Sequence, residues 1–298
     1  MNVDLFGNEI VKDILLRDKY VEPPFTRLDA VSGSWQKRKN LWKQKGIKSE
    51  LGRPEGVLSG GKPKKGLFSI DDPSYKSIDG YTGTSIFDPV LCELMYKWFC
   101  PDGGTILDPF AGGSVRGIVA NFLGFNYTGL ELRPEQVESN RQQGLDILPI
   151  TNQPQWYEGD SDVLLNDKWN FDFDTIFSCP PYMDLEVYSD RPDDLSTLND
   201  ADFTLKYESI IKKSCDKLKK DGFAIFVVGD VRDKKTGYYK DLITITKMAF
   251  YKAGLKLYNE AILLESGLNT AAMRADKQFT AGKKLVKVHQ NVLIFKKP

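Results

Sequence analysis

From about residue 80 onward, short apolar runs alternate along this chain with helix-length amphipathic stretches. Such alternation is typical of a mostly parallel sheet with helices on both faces, because each buried strand needs cover on two sides. Two later runs, 256–264 and 288–295, have no helix-length amphipathic segment between them, so we expect them to pair as an antiparallel hairpin at the sheet edge. The sequence therefore predicts an α/β fold for residues 81–298, with an open, twisted, doubly wound sheet of the Rossmann-like kind.

The individual elements follow from apolar periodicity and from the turn residues that separate the runs. Pro134 suits a first helical turn, where its missing N–H is not needed. Strands are predicted at 105–108, 127–131, 155–158, 175–178 and 223–229, and helices at 88–99, 134–143, 201–220 and 240–253.

Residues 1–80 have a different character, because prolines and glycines interrupt them repeatedly. One helix is predicted there, at 34–46. Trp35 and Trp42 lie seven residues apart and so share a face of that helix, which favours docking onto the main domain over stacking on bases. The sequence thus predicts a largely irregular N-terminal arm or cap over residues 1–80, without a core of its own.

Charge is balanced over the whole chain but segregated along it. Lys+Arg and Asp+Glu total 41 each, yet residues 35–66 hold ten basic side chains against two acidic ones, and residues 274–298 hold seven against one. The stretch 155–204 is acidic instead. The basic segments could fold onto one face and contact phosphates, or they could be ordinary solvated surface. The predicted phosphate contacts in the arm are Lys37, Arg38, Lys39 and Lys43.

Composition and cysteine usage narrow the class of protein further. The chain is 41% hydrophobic and 28% charged, which excludes a collagen-like or wholly disordered protein. It has no run of 18 apolar residues, and its first residues are polar and acidic, so we expect neither a membrane span nor a secretory signal. Its four cysteines never form a Cys-x-x-Cys pair, so the sequence predicts no disulfide framework and no metal site, and a reducing cytoplasmic compartment.

Three acidic residues follow three successive predicted strands. Asp108 ends the first and precedes a glycine-bearing loop, Glu131 ends the second, and Asp160 lies just past the third. Ligands of open α/β sheets bind at the carboxyl ends of strands, where carboxylates can accept ribose hydroxyls or an adenine amino group. The loop fits neither a dinucleotide fingerprint nor a P-loop. Although strand-end acids also cap helices, three in succession indicate a nucleoside-containing cofactor.

The most informative segment is Phe177-Ser-Cys-Pro-Pro-Tyr182, directly after the fourth predicted strand. Adjacent prolines have fixed φ and no N–H, so they form a rigid edge whose carbonyls are free to accept hydrogen bonds. The tyrosine can stack on a flat ring. A tight loop with a buried tyrosine is the structural alternative, but the position downstream of the three acids favours a catalytic segment.

With these motifs in this order, residues 80–298 resemble the amino-group DNA methyltransferases, which act on adenine N6 or cytosine N4. Composition and motif order look most like the orphan methylases encoded by bacteriophages. The resemblance implies the class I methyltransferase fold, S-adenosylmethionine as cofactor, DNA as partner and the host cytoplasm as compartment. It implies that the cofactor is bound by Thr84, Ser85, Asp108, Pro109, Phe110, Gly112, Glu131, Asp160 and Ser161. It implies a catalytic segment of Ser178, Cys179, Pro180, Pro181 and Tyr182.

In that family, acceptors around the Pro-Pro unit hold the protons of a flipped base amine while an aromatic residue stacks on the base. This chain departs from the usual tetrapeptide, because Cys179 stands where Asp, Asn or Ser is usual and is a weaker acceptor. The choice between adenine N6, which we favour, and cytosine N4 therefore stays open.

Other chemistries fit the sequence less well. A C5-cytosine mechanism needs a cysteine that follows a proline, whereas Cys179 precedes two. His289 is the only histidine and opens the last predicted strand, so we expect it to be structural, and a Ser-His-Asp arrangement at Ser178 is improbable. An RNA or protein N-methyltransferase, or a non-catalytic DNA-binding module of this fold, remains an alternative.

Overall fold

The computed structural model describes residues 16–48, 87–166, 172–183, 185, 189–233, 235–265 and 268–298. The strands are β1 (Arg27–Asp29), β2 (Thr105–Asp108), β3 (Asn126–Glu131), β4 (Gln155–Glu158), β5 (Phe173–Ser178), β6 (Leu218–Val228), β7 (Lys256–Leu264) and β8 (His289–Lys296). The helices are α1 (Leu16–Tyr20), α2 (Gly33–Gln44), α3 (Pro89–Phe99), α4 (Val115–Phe122), α5 (Pro134–Ile147), α6 (Ser161–Leu164), α7 (Asp200–Asp216), α8 (Leu242–Lys252) and α9 (Leu268–Gly282), with a 3-10 turn at Leu195–Thr197.

Within the described residues the strands form one sheet in the order β1-β7-β8-β6-β5-β2-β3-β4. All neighbours pair in parallel except β8, which is antiparallel to both β6 and β7. The predicted fold class is confirmed: this is an open, mostly parallel sheet with an antiparallel pair, as in the class I methyltransferase fold. Because β2, β3, β4, β5 and β7 run in one direction, their carboxyl ends lie at the same edge.

Alternate side chains of the strands enter two separate apolar cores, one on each face of the sheet. On β6, Ile225 and Val227 pack with α3 and α4, whereas Phe226 and Val228 belong to the core that contains α7 and α8. This period of two is the geometry of a pleated strand, and it explains why β6 is apolar on both faces. The sheet is therefore a rigid base for the loops at its carboxyl edge.

Several elements differ from the prediction, and two concern the second half of the chain. The segment between β7 and β8 contains α9, although the sequence predicted no helix there; apolar residues recur at helical spacing in α9, but alanines make up much of that face, so the signal is weak. Helix α7 ends at Asp216, earlier than the predicted residue 220, because Leu218 already pairs with Phe173 in the sheet.

The N-terminal arm is joined to the domain chiefly through β1 and α2, with further hydrogen bonds from Trp98 Nε1 to the Tyr20 carbonyl and between Lys48 and Gln143. Strand β1 adds to the outer side of β7, in parallel, so the antiparallel pair is followed by one further short strand. Trp35 and Trp42 of α2 are buried, with 1% and 5% of their surfaces exposed, against the core that contains α3. The docking interpretation of the two tryptophans is confirmed.

Helix α2 is held to α3 by charge as well as by apolar contact. Glu93 of α3 is 1% exposed. Its carboxylate accepts hydrogen bonds from the Arg38 guanidinium, with Nε 2.6 Å from Oε2, and from Trp42 Nε1 at 3.0 Å. Lys97 Nζ lies 3.0 Å from the same carboxylate. A carboxylate buried among apolar residues needs such partners to stay ionised. None of the helices in the described ranges has the length and apolar character of a membrane span.

Candidate functional site

A cavity of about 540 Å³ opens at the carboxyl edge of the sheet. It has the size of a cofactor or small-ligand pocket, which is typically ~300–1,000 Å³. Most of the residues predicted for the site line it together: Pro109, Phe110, Gly112, Glu131, Asp160, Ser161, Cys179, Pro180, Pro181 and Tyr182. Thr84 and Ser85 lie outside the described residues.

Asp108 lies beneath the cavity wall, fully buried, and its oxygens are engaged by neighbouring groups. Its Oδ2 accepts from Arg116 Nε and, at 2.7 Å, from the Tyr127 hydroxyl, while Oδ1 accepts from Ser178 Oγ and the Phe110 amide. Arg116 also donates to the carbonyl oxygens of Phe110 and Ala111. Asp108 therefore connects the glycine-bearing loop to the start of the Cys-Pro-Pro-Tyr segment. Its role in binding the cofactor stays a prediction.

Arg116 was not predicted from the sequence. Its guanidinium is buried beside the Asp108 carboxylate, and its plane lies 4.6 Å from the centre of the Phe87 ring. Burial alone would lower the pKa of Arg116, but Asp108 and its other neighbours raise it above the usual value, so the side chain stays charged. Its position in the first turn of the helix after the glycine-bearing loop was the available sequence signal.

Glu131 ends β3 and faces the cavity. Its Oε1 accepts from the Arg133 amide at 2.9 Å, and a backbone hydrogen bond from Gly112 reaches the same carboxylate. Burial raises the pKa of Glu131 despite the nearby Arg133. A carboxylate has about four lone-pair positions, so this one retains capacity for the two hydroxyls of a ribose.

Asp160 follows β4 and caps the short helix α6. Its Oδ1 accepts from the Asp162 amide at 2.9 Å, and its Oδ2 lies 2.7 Å from Lys206 Nζ. Lys206, on α7, also donates to the carbonyl of Asp193 and lines the cavity. Sequence reasoning missed Lys206, because a lysine 46 residues away on a charged helix carries no local signal of this contact.

The loops after β2 and β4 are tied together by one hydrogen bond, from Ser161 Oγ to the Pro109 carbonyl at 2.6 Å. Gly112 has a φ of +52°, a conformation that most side chains disfavour, and Asn140 Nδ2 donates to its carbonyl at 2.8 Å. These contacts fix the backbone that would approach a cofactor.

The Cys-Pro-Pro-Tyr segment continues from β5 into the cavity wall. Cys179 and Tyr182 are half-buried, with Cys179 Sγ 3.6 Å from the Tyr182 hydroxyl and that hydroxyl 3.5 Å from the Val227 carbonyl. Burial raises the pKa of the Cys179 thiol, although Arg116 and the Tyr182 hydroxyl oppose this. A thiol that stays protonated is a poor nucleophile, which agrees with the exclusion of C5-cytosine chemistry.

The wall opposite the three strand-end loops comes from the arm and from β7 and β8. Ala30, Gln36 and Lys39 of the arm line it together with Glu265 and Gln290. Sequence reasoning predicted neither Glu265 nor Gln290 as site residues, since each follows or lies in a strand far along the chain.

The four predicted phosphate contacts have different surroundings. Arg38 is paired with Glu93, and Lys39 Nζ lies 2.9 Å from Asp88 Oδ2. Lys37 and Lys43 are exposed. The part of the chain that the structure describes contains no group of three or more His, Cys, Asp or Glu side chains arranged to hold a metal ion.

No protein-family model and no curated protein sequence matches the chain. Among solved structures it is similar to TrmN from Thermus thermophilus, with 14% identity and a TM-score of 0.47 over 71% of this chain and 49% of TrmN. The chain thus spans about half the length of that relative.

Two further solved structures are similar at the level of the fold. The TehB-like SAM-dependent methyltransferase from Corynebacterium glutamicum has 19% identity and a TM-score of 0.41, over 72% of this chain and 90% of that one. The magnesium protoporphyrin IX methyltransferase ChlM from Synechocystis PCC 6803, solved with bound SAM, has 11% identity and a TM-score of 0.43, over 70% of this chain and 79% of that one.

Proposed function

We propose that this protein is an S-adenosylmethionine-dependent methyltransferase that modifies an exocyclic amino group of a DNA base, with adenine N6 favoured over cytosine N4. One observation carries the proposal: Glu131, Asp160 and the Cys-Pro-Pro-Tyr segment, which are far apart in sequence, line a single cavity. Two carboxylates suited to a nucleoside and a rigid acceptor edge beside a tyrosine are what this reaction needs in one place. The resemblance to phage-encoded orphan methylases supports the further proposal that such an enzyme acts in a host cytoplasm.

The residues present fit S-adenosylmethionine. Glu131 would accept the ribose hydroxyls, Asp160 the adenine amino group, and the backbone from Pro109 to Gly112 would pass beside the ligand. When bound, the cofactor supplies a methyl group on a positively charged sulfur. The Lys206 ammonium orients Asp160, since its Nζ donates to that carboxylate and to the Asp193 carbonyl.

The chain's own contribution to the transfer is positioning. Pro180 and Pro181 line the cavity together with Tyr182, whose ring can stack on a flat base. A base of this size reaches such a pocket only after it leaves the duplex, which costs a few kcal/mol of stacking and pairing. We expect exposed lysines of the arm and of the C-terminal basic segment to contact the phosphates around it.

The cofactor part of the proposal is tested by calorimetry on Glu131→Ala. Loss of a charged acceptor costs roughly 1.5–3 kcal/mol, so we expect S-adenosylmethionine to bind at least about tenfold more weakly. Glu138→Ala, on the exposed side of α5, is the matched control and should bind as the wild type does. An unchanged affinity in Glu131→Ala would overturn the cofactor assignment.

The substrate part is tested with labelled cofactor and three acceptors: duplex DNA, tRNA and protein. Label in DNA, recovered as N6-methyladenine after digestion to nucleosides, is the expected result. N4-methylcytosine alone would correct the choice of base. Label in tRNA or protein alone would replace DNA with the alternative substrate class.

A further inference from the structure

Strand β5 lies in the middle of the sheet and divides the carboxyl edge, where the cavity opens, into two sides. On one side of it lie β2, β3 and β4, whose loops carry the proposed cofactor residues; on the other lie β6, β8, β7 and β1. The Cys-Pro-Pro-Tyr segment follows β5 and therefore lies between the two sides. If one side holds the cofactor, the side of β7 is where the accepting base would be received.

Glu265 is the carboxylate on the β7 side. It directly follows β7, whose carboxyl end lies at the same edge as that of β5, and its amide donates to the Val288 carbonyl at 3.3 Å. Its side chain lines the same cavity as Cys179 and Tyr182. Among the residues that the structure describes, none donates a hydrogen bond to this carboxylate or lies within ion-pair distance of it.

The electrostatic surroundings of Glu265 make it a stronger base than an ordinary glutamate. Burial raises its pKa most, and the Asp88 carboxylate adds to this, while Lys39 and Lys287 act in the opposite direction. Glu265 in turn contributes to the raised pKa of the Cys179 thiol, after burial and Asp108. The charge of Glu265 therefore acts on the Cys179 thiol across the cavity.

Cys179 stands where Asp, Asn or Ser is usual, and it leaves that position of the segment without a strong acceptor, because a thiol sulfur accepts hydrogen bonds weakly. Resting on the function proposed above, we propose that Glu265 supplies this acceptor, binding a proton of the base amine that is methylated and removing it. The nitrogen lone pair forms the new N–C bond while the electrons of the broken C–S bond stay on sulfur, so the nitrogen is left with one proton too many. The Glu265 carboxylate takes that proton and later releases it to water.

The first test compares turnover in Glu265→Gln with that in wild type. Removal of a general base costs typically 10²–10⁴-fold, and we expect kcat to fall by about 100-fold while cofactor affinity stays within about twofold. Glu138→Gln is the matched control on α5 and should keep wild-type turnover. Wild-type kcat in Glu265→Gln would overturn the proposal.

A rescue experiment separates loss of the acceptor from loss of folding. Cys179→Asp, made in the Glu265→Gln protein, places a strong acceptor in the catalytic segment itself, so we expect at least about tenfold recovery of kcat, part of the general-base effect. A double variant that turns over no faster than Glu265→Gln would contradict the role of Glu265 as acceptor.

A binding experiment without cofactor gives a second readout. Short single-stranded oligonucleotides that contain adenine should bind more tightly than matched oligonucleotides that contain purine, which has no exocyclic amine, and Glu265→Ala should abolish that difference. Equal discrimination in wild type and Glu265→Ala would overturn the inference. A wild-type protein that discriminates in this way but methylates no nucleic acid would instead overturn the proposed function.

Discussion

Two basic segments, helix α2 of the arm and residues 274–287, look alike in sequence but differ in what their charges contact. In α2, Arg38 is paired with the buried Glu93 and Lys39 with Asp88, the residue that caps α3. In the C-terminal segment, Lys277, Lys283 and Lys284 form no ion pair with a described carboxylate, and the ammonium of Lys283 instead lies over the Phe279 ring.

The difference teaches that a run of lysines and arginines does not by itself identify a nucleic-acid surface. Part of the charge in α2 holds the arm to the domain, since a buried carboxylate that loses its partner is strongly destabilising. The ammonium groups of Lys277, Lys283 and Lys284 could contact phosphates without breaking an ion pair to a described carboxylate. We therefore expect substitutions in α2 to affect stability and substitutions in 274–287 to affect DNA affinity.

The largest expected effect is that of Arg38→Ala on stability. It leaves Glu93, which is 1% exposed, with Lys97 and Trp42 as remaining partners. Breaking a fully buried pair costs about 3–5 kcal/mol, and because the Arg38 side chain is partly exposed we expect a loss of about 2 kcal/mol in the free energy of unfolding. Urea unfolding measures it.

Lys37→Ala, one residue away and exposed, is the control and should change the unfolding free energy by less than about 0.5 kcal/mol.

The ion pair between Arg38 and Glu93 also makes stability depend on pH. Burial alone would raise the pKa of Glu93, but hydrogen bonds from Arg38, Lys97 and Trp42 lower it. Its contribution is complete above the ordinary pKa of 4.5 and is lost as pH falls through the lowered value. Equal unfolding midpoints for Arg38→Ala and Lys37→Ala would contradict the stabilising role of the Arg38 charge in α2.

The next effect is on the salt dependence of DNA binding. Changing Lys277, Lys283 and Lys284 together to Ala should reduce the slope of log affinity against log salt by about 3, close to one for each lost phosphate contact. The free energy of unfolding should stay within about 0.5 kcal/mol of wild type. An unchanged slope would mean that these lysines contact no phosphates and are ordinary solvated surface residues.

The smallest effect is expected for the exposed lysines of α2. Lys37→Ala with Lys43→Ala should lower the same slope by at most about 2. Adding Lys39→Ala to this double variant should not change the slope further, because Lys39 is already paired with Asp88. A further drop of about one unit on that addition would show that Lys39 exchanges its internal partner for a phosphate.

The sequence predicted those features that are local to a strand and the turn after it. Asp108, Glu131, Asp160 and Cys179 each follow an apolar run directly, so sheet topology brings them to one edge without further information. The partners of these residues could not be predicted in the same way. Lys206 reaches Asp160 from a helix 46 residues later, and Glu265 lines the same cavity as Cys179 only because β7 and β5 run in the same direction.

The arm shows the same limit. Its helix and its two tryptophans were evident from spacing, but the three residues of β1 are too few to show a strand pattern. Glu93 was a further signal for the arm's docking, besides the two tryptophans, since it is the single acidic residue within the apolar helix α3. Pairing it with Arg38 requires knowledge of how two helices pack.

The position of β1 has a consequence for how the arm can be studied. A sheet edge with unpaired N–H and C=O groups is a template for association with other chains, and very short outer strands are one natural protection against it. Here β1, only three residues long, covers Ile262 to Leu264 of β7. Removing the arm would uncover these three residues and leave all nine residues of β7 unpaired along that edge, so a truncated protein would tend to self-associate through β7.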